Sequence, residues 1–437
     1  MAIEVVYGNF EAAEGQDPGK LKRLMQRDAS WGTHIENLRA AEETCGQGAQ
    51  TRWKASEPTL NNREEGRSVD RWFTLEFPNE NFRFATESVD HFVGTVAGDI
   101  LQNPAMKSIV VRDFDFTDNS LSDSFPGPNV GIDGLYDELL SVTLRKVKRP
   151  ILAFTLKPRL GMSVDDVTRI YKAAAASGID IVEDDERLID PPSCPFESRV
   201  EAVSRIQAKS NSLYSVNITA DSQSALEKLD FCVEHGIRMV KIDVLVSGFE
   251  TLRRVARKIK EVYDSSVAIT VYPDAVGDYR RLDRNFILKL SRLCGADIIY
   301  AGSPNWARYL KEKGELKETV EPVYQRHRLL ADHLDFAPEV KSTLPTITND
   351  QHPSRAELVT AYFRKHKDGH YRYAFYVGGG ISGFPSNIKT AVKVWTDCLR
   401  HAATANTTKY RRFDLSRYEE GLKENEWYPI DVGAALK

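Results

Sequence analysis

The feature that most constrains the fold of this 437-residue chain is a regular alternation of β-rich runs and helical stretches after Pro150. Between the runs, apolar residues recur with a 3.6-residue period, as in Val164–Ala176 and Ser224–His235. Eight βα units of this kind are typical of a closed (β/α)8 barrel, and an open doubly wound sheet is the alternative. The eight runs are spaced about 27 to 42 residues apart and begin near Ile151, Ile179, Ser212, Met239, Val267, Ala296, Pro338 and Tyr371.

The residues before this alternation show a different pattern. Apolar runs at Ile3–Tyr7 and Arg71–Phe77 are separated by a polar stretch around Glu42–Gly66, which favours mixed strands and helices. The Pro/Gly-rich segment Ser124–Gly131 indicates a loop. We therefore predict an α/β protein, with an N-terminal α+β domain over residues 1–149. A C-terminal (β/α)8 TIM barrel with a short helical tail is predicted over residues 150–437.

Composition excludes several classes of function. The 59 Lys and Arg residues against 63 Asp and Glu give a net charge of −4, which disfavours a nucleic-acid partner. No apolar run approaches the roughly 20 residues that span a bilayer, and the start lacks the layout of a secretory signal. The five scattered cysteines show no metal-finger spacing, as expected of reduced thiols. We predict a cytoplasmic enzyme with a small-molecule substrate and no membrane partner.

The most informative motif is a run of four acids, Glu183 to Glu186, at the end of the second β-rich run. Catalytic groups of such barrels lie at the carboxyl ends of the strands. The two-residue period of a strand puts Glu183 and Asp185 on one face, and Glu186 could swing towards them. Because three converging carboxylates repel one another, we predict that Glu183, Asp185 and Glu186 bind Mg2+. The alternative is a solvated charge run that pairs with nearby basic residues.

Two other strand ends carry candidate groups. Lys157 and Arg159 come after the first run, where Lys157 is either a functional ammonium or an ion-pair partner of the acids. Gly378, Gly379 and Gly380 come after the eighth run and precede a helix. Such glycines let backbone N–H groups reach a phosphate, or they form a tight turn with positive φ. The position on the last strand favours phosphate binding.

Histidine chemistry is not expected at this site. Of the nine histidines, only His352 lies near a predicted strand end. Proton transfer therefore falls to Lys157, to a carboxylate such as Glu183, or to a tyrosine such as Tyr300 at the end of the sixth run. Asn217, at the end of the third run, is a further candidate for substrate binding.

Four motifs occur in a fixed order along the chain, namely FPGPNVGIDGL (Phe125–Leu135), TLKPRLGMS (Thr155–Ser163), SGIDIVEDDE (Ser177–Glu186) and AFYVGGGISGFP (Ala374–Pro385). Together they resemble motifs of the large subunit of RuBisCO and its RuBisCO-like relatives. The resemblance implies a role in proton transfer for Lys157, metal binding by Asp185 and Glu186, and phosphate binding by the glycine turn.

Departures from the family pattern indicate a member that does not fix CO2. Glu183 stands where the carboxylase carries the lysine that becomes a carbamate, and glutamate cannot be carbamylated. The lysine of the mobile loop has no clear equivalent, with Arg308 the nearest cation. Other substitutions are Arg159 for a second lysine, Thr270-Val271 for a histidine–arginine pair, Tyr300 for a histidine, and Thr346–Asn349 for a Ser-Gly-Gly phosphate segment.

The resemblance implies a RuBisCO-like enzyme that forms a metal-stabilised enolate from a phosphorylated, sugar-derived carbonyl compound. Enolisation, isomerisation and decarboxylation of a β-keto acid all pass through such an enolate. One alternative is a metal-independent sugar-acid lyase or isomerase that uses a Glu183–Lys157 pair. Another is a non-catalytic regulatory or assembly relative. A homodimer with shared sites is also implied, with Glu42 or Gln47 as candidates contributed by the neighbouring subunit.

Overall fold

Two separate β-sheets carry the fold, a small antiparallel sheet near the N-terminus and a closed barrel after it. The structure is a computed structural model. It describes residues 2–14, 17, 25, 59–65, 68–117, 123–140, 149–273, 281–306, 309, 315–348, 352–384, 387–404 and 413. None of the helices within these ranges combines the length and apolar character needed to cross a membrane.

The N-terminal region consists of β1 (Ala2–Ala12), β2 (Thr59–Glu65), β3 (Ser68–Pro78), α1 (Val89–Gln102) and β4 (Met106–Phe116). Its four strands form an antiparallel sheet in the order β2-β3-β1-β4. Alternate residues of β1, including Ile3, Val5 and Tyr7, are buried, as expected of a sheet with one covered face. The Tyr7 hydroxyl donates to the carbonyl of Val96 on α1 at 2.7 Å, which attaches the helix to the sheet.

The eight strands of the barrel are parallel and pair in chain order, with the last strand closing onto the first. This confirms the closed (β/α)8 barrel, and the open-sheet alternative is wrong. The strands are β5 (Ile151–Thr155), β6 (Ile181–Glu183), β7 (Leu213–Asn217), β8 (Met239–Asp243), β9 (Ala268–Tyr272), β10 (Ile298–Tyr300), β11 (Leu344–Ile347) and β12 (Ala374–Val377).

Amphipathic helices cover the outside of the barrel, and nearly every strand residue is buried as a result. The predicted helices near Val164 and Ser224 are present. The long helices are α2 (Val164–Ala175), α3 (Phe196–Gln207), α4 (Ser222–Glu234), α5 (Phe249–Val262), α6 (Arg284–Cys294), α7 (Leu316–Ala331), α8 (Pro353–His366) and α9 (Ile388–Thr404).

The seventh barrel strand begins at Leu344, later than the start predicted near Pro338. Residues Ala337 to Val340 form a turn in which the Val340 N–H donates to the Ala337 carbonyl at 3.1 Å. Pro338 has no N–H to offer a neighbouring strand, so an apolar run that includes it is a poor strand start.

Two helices from different parts of the chain cap each other where the N-terminal sheet region meets the barrel. Asp90, in the first turn of α1, accepts the Phe249 N–H at the start of α5 at 2.8 Å. Glu250, in the first turn of α5, accepts the Val89 N–H at the start of α1 at 3.1 Å. Gly248 permits this approach, because a Cβ there would lie 2.7 Å from an Asp90 oxygen. The two helix starts therefore depend on each other.

Asp297 connects the loop before the barrel to the amino-terminal end of β10. Its fully buried carboxylate accepts the N–H groups of Val130, Gly131 and Ile269 at 2.7, 2.9 and 2.8 Å. Burial raises the pKa of Asp297 to about 6, although these hydrogen bonds work in the opposite direction.

The raised pKa of Asp297 predicts a pH dependence of stability. Since the folded state binds the proton more tightly than the unfolded state, this stabilisation is full below about pH 4. It is lost as the pH rises through about 6, and amounts to about 3 kcal/mol. In urea denaturation, the difference in free energy of unfolding between wild type and Asp297→Asn should fall as the pH rises from about 4 to above about 6. The exposed Asp335→Asn serves as control, and a difference independent of pH would contradict the assignment.

Reciprocal capping predicts that Asp90→Ala lowers the free energy of unfolding by about 1–2 kcal/mol, because the start of α5 loses its side-chain acceptor. Chemical denaturation measures this. The matched control is the exposed Asp165→Ala in the first turn of α2, which should change stability by less than about 0.5 kcal/mol. Equal effects of the two variants would show that Asp90 does not act as a cap.

Candidate active site

The four acids at the end of β6 are buried, and each forms an ion pair with at least one basic side chain. Of the alternative considered from the sequence, the pairing with nearby basic residues is present, but the solvation is wrong because the acids are shielded from water. Neutralisation of this kind is needed because a buried carboxylate without a partner is costly. The pairs are Glu183 with Lys241, Asp184 with Arg199, Asp185 with Lys157 and Arg159, and Glu186 with Arg159.

Asp184 points away from the other acids and fastens the end of β6 to its surroundings. Its Oδ2 accepts from Arg199 Nε at 3.2 Å and from the Asn217 N–H at 3.0 Å. The Tyr214 hydroxyl donates to Oδ1 at 2.5 Å. Asp184 and Arg199 have no exposed surface. Asp184 is therefore structural, and it orients its neighbours in the run.

Glu183 lies inside the barrel, on the side opposite to Asp184. Its Oε1 accepts from Lys241 Nζ of β8 at 2.8 Å and from the Tyr300 hydroxyl of β10 at 2.5 Å. The same hydroxyl lies 3.3 Å from Thr155 Oγ1. Burial raises the pKa of Glu183, and the Lys241 ammonium opposes that rise. Burial, with the Glu183 charge, raises the pKa of Tyr300 far above its usual range, so Tyr300 is a hydrogen-bond donor.

Lys241 is the site residue that sequence reasoning missed. Its side chain is almost fully buried, and Nζ lies 5.1 Å from the ring centroid of Tyr272 and 5.5 Å from that of Tyr300. The signal was present, because lysine in the middle of the apolar run MVKID is rarely buried without a partner. The partner, however, is 58 residues away in the chain.

Lys157 lies between the acids and the glycine turn. Its Nζ contacts Asp185 Oδ2, and Asp185 Oδ1 accepts the Arg187 N–H at 3.0 Å. A Cβ at Gly378 would lie 2.8 Å from Lys157 Cε, so any other residue at this position would require the end of the Lys157 side chain to shift. The Glu183–Lys157 pair of the metal-independent alternative is absent, because each of these residues has a different partner.

The glycine turn is not explained by positive φ. Gly378 has a φ of −97° and begins a single helical turn over Gly379–Ser382. The Gly380 carbonyl accepts from Trp395 Nε1 of α9 at 3.2 Å, which holds the turn from behind. A Cβ at Gly379 would meet no atom within 4 Å, so this residue borders open space. Phosphate binding by Gly378, Gly379 and Gly380 stays a prediction.

The remaining predicted residues differ in placement. Arg159 Nη2 lies 3.2 Å from Glu186 Oε1, and its side chain is 57% exposed. Asn217 is fully buried, and its amide donates to the carbonyls of Asp185 and Glu186 at 3.2 Å each, so it supports the acid run from within. Three further predictions lie outside the described residues, namely Arg308, Glu42 and Gln47.

Whether the acids fit a divalent cation depends on their free oxygens. Glu183 Oε2 and Glu186 Oε1 are buried and have no hydrogen-bond partner, although the latter is near Arg159. Carboxylate oxygens of this kind are the donors that Mg2+ prefers. Within the described ranges, no three His, Cys, Asp or Glu residues converge as a preformed metal site. The donor chemistry fits Mg2+, but the present arrangement is one of ion pairs.

Comparisons with known proteins point to one family. The family model described as "Ribulose bisphosphate carboxylase large chain, catalytic domain" matches residues 138–418. A ribulose bisphosphate carboxylase of Archaeoglobus fulgidus is 26% identical over 359 residues, which cover 77% of this chain and 75% of the relative. A ribulose bisphosphate carboxylase-like protein of the same organism is 27% identical over 330 residues, covering 71% and 70%. Relatives of both descriptions therefore match at similar identity.

Solved structures show the same fold. The octameric RuBisCO of Pyrococcus horikoshii superposes with a TM-score of 0.74 at 21% identity, covering 92% of this chain and 89% of that one. The dimeric archaeal RuBisCO of Hyperthermus butylicus gives 0.73 at 21% identity, covering 100% and 95%. Because the family model matches residues 138–418, well over half of its length, this chain belongs to the RuBisCO large-chain family.

Proposed function

We propose that this protein is a non-carboxylating, RuBisCO-like enzyme that forms an enolate from a phosphorylated, sugar-derived carbonyl compound. The observation that carries this proposal is the position of Lys157, whose ammonium contacts Asp185 and whose stem crosses Gly378 at the barrel mouth. A candidate base thus lies beside both a carboxylate pair and a candidate phosphate turn. This is the combination that proton abstraction next to a carbonyl needs.

Lys157 is the residue best placed to move the substrate proton. Its side chain is 23% exposed, whereas Asp185 is fully buried, so the ammonium is held in place yet accessible from the mouth. Arg159 is more exposed and is placed to contact an anionic group of the substrate. Enolisation, isomerisation and β-keto acid decarboxylation share the enolate and differ only in the later steps, so the proposal includes all three.

Mg2+ is part of this proposal. The carboxylates of Asp185 and Glu186 would hold the ion, with Glu183 beside them. When bound, Mg2+ supplies Lewis acidity toward a carbonyl oxygen and stabilises negative charge on it. The residues of the chain contribute the rest, since Lys157 moves the proton while Asn217 and Asp184 hold the acid run in shape.

The residue at position 183 supports the absence of carboxylation. Glutamate cannot form the carbamate that the family's lysine forms, and here Oε1 of Glu183 is taken by Lys241 and Tyr300. The buried Thr270 and Val271 occupy the place of a histidine–arginine pair. We therefore propose that labelled bicarbonate is not incorporated into ribulose bisphosphate by this protein.

One observation favours a metal-independent version of the same chemistry as a second candidate. All four acids already face a cation of the chain, so their charge is neutralised without an added ion. In that version, Lys157 and Arg159 provide the positive charge near the enolate.

We further propose a cytoplasmic homodimer with shared sites. The H. butylicus relative is dimeric and the P. horikoshii relative is octameric. In the part of the chain that the structure describes, Lys157 pairs with Asp185 of the barrel itself and keeps an exposed fraction. This leaves room at the mouth for a contribution from a second subunit.

Proton abstraction predicts exchange of the substrate α-proton with solvent. In D2O, NMR of a panel of ketose phosphates and phosphorylated β-keto acids should show loss of that signal with wild-type protein. Lys157→Met should slow the exchange by about 10²–10⁴-fold, because the base is removed. The exposed Lys209→Met is the matched control and should match wild type. Full exchange by Lys157→Met would refute the role of Lys157, and no exchange by wild type would favour the non-catalytic alternative.

Metal binding predicts thermal stabilisation by millimolar Mg2+, because a ligand that binds only the folded state raises Tm. Asp185→Ala should lose this shift, and the exposed Asp335→Ala should keep it. Differential scanning fluorimetry with and without a chelator measures both. A wild-type Tm that does not respond to Mg2+, together with α-proton exchange in the chelator, would favour the metal-independent candidate.

A further inference from the structure

The innermost ion pair of the site differs from the outer two in how freely its cation can leave. Lys241 is 1% exposed and Glu183 has no exposed surface, so this pair is sealed inside the barrel. Lys157 is 23% exposed and Arg159 is 57% exposed, so their head groups can turn towards water. A cation that enters from the mouth can therefore displace the outer head groups without burying an unpaired charge.

Displacement of Lys241 would have the opposite consequence. Its ammonium also donates to the Asp184 carbonyl at 3.1 Å and lies against the rings of Tyr272 and Tyr300. These contacts surround the head group, which leaves it no path to solvent. Removal of one partner from a buried ion pair is strongly unfavourable, because the other charge remains in a medium that solvates it poorly.

We propose that Glu183 stays in its ion pair with Lys241 and is not a metal ligand. The protein residues of the divalent-cation site are then Asp185 and Glu186. Lys241 is then a positioning residue, which holds Glu183 as the acceptor of the Tyr300 hydroxyl. This inference rests on the proposed Mg2+-assisted function and narrows the set of ligands within it. One or two carboxylates plus oxygens of the substrate suffice for Mg2+.

One atom provides the route by which Glu183 could still reach an ion. Oε2 is buried without a hydrogen-bond partner, while Oε1 carries both contacts. If Mg2+ used Oε2, neutral replacement of Glu183 would remove a ligand. If Lys241 is what keeps Glu183 from the ion, removal of Lys241 would add one. The first possibility therefore predicts weaker Mg2+ binding when Glu183 is neutralised, and the second predicts tighter Mg2+ binding when Lys241 is removed.

The experiment measures the Mg2+ affinity of three proteins by calorimetry, with the Mg2+-induced shift of Tm as a second readout. The proteins are wild type, Lys241→Met and the double variant Lys241→Met/Glu183→Gln. We expect Lys241→Met to bind Mg2+ on the order of tenfold more tightly than wild type, because Glu183 becomes a third ligand. The double variant should return to wild-type affinity, since it lacks both members of the pair.

A matched control separates this effect from the general loss of a buried lysine. Lys289 of α6 is 5% exposed and pairs with Asp113 at 2.7 Å, far from the site in the fold. Lys289→Met should leave Mg2+ affinity unchanged. The double variant keeps the test available if Lys241→Met does not fold, because it contains no unpaired buried charge.

Two results would overturn the proposal. The first is a double variant that binds Mg2+ markedly more weakly than wild type, which would make Glu183 a ligand. The second is a folded Lys241→Met protein that binds Mg2+ no more tightly than wild type. Failure of the proposed function is seen separately, because α-proton exchange and its dependence on Lys157 are measured without reference to Glu183.

Discussion

Four consecutive carboxylates at the end of one short strand are the constraint on which the rest of the site depends. Buried acids need partners, and a strand of three residues offers none of its own. The cations come from β8, from α3 and from the loop after β5. Neutralisation of the run therefore joins elements that are distant in sequence. These ion pairs therefore largely determine where the charged side chains of the barrel mouth lie.

Much of the fold could be predicted from local patterns. The eight β-rich runs predicted eight strands because each run is apolar and is succeeded by a helix with its own periodicity. The predicted start of the seventh barrel strand, near Pro338, was wrong because an apolar run does not distinguish a turn from a strand. The acid run and Lys157 were placed at the mouth by their position at strand ends alone, and the structure brings Lys157 into contact with Asp185.

The partners within the site could not be predicted, because pairing is a property of the closed barrel. The sequence does not say which basic residue pairs with Glu183. Lys241 becomes its partner only through the relative positions of β6 and β8 in the closed barrel. Asn217 was predicted to bind substrate, but its burial and its hydrogen bonds to the acid run indicate support of the backbone. The glycine turn was recognised, whereas the close approach of the Lys157 side chain to Gly378 is visible only in the coordinates.

The mutual capping of α1 and α5 has a mechanical consequence. Because each helix begins against a carboxylate of the other, the N-terminal unit cannot swing away from the barrel without breaking both of these hydrogen bonds at once. Arg253 strengthens this junction, since its guanidinium donates to the Glu87 carbonyl at 2.9 Å and pairs with Glu250 at 2.7 Å. The two units should therefore move as one body in solution, and any adjustment to a substrate would fall to the loops of the barrel mouth.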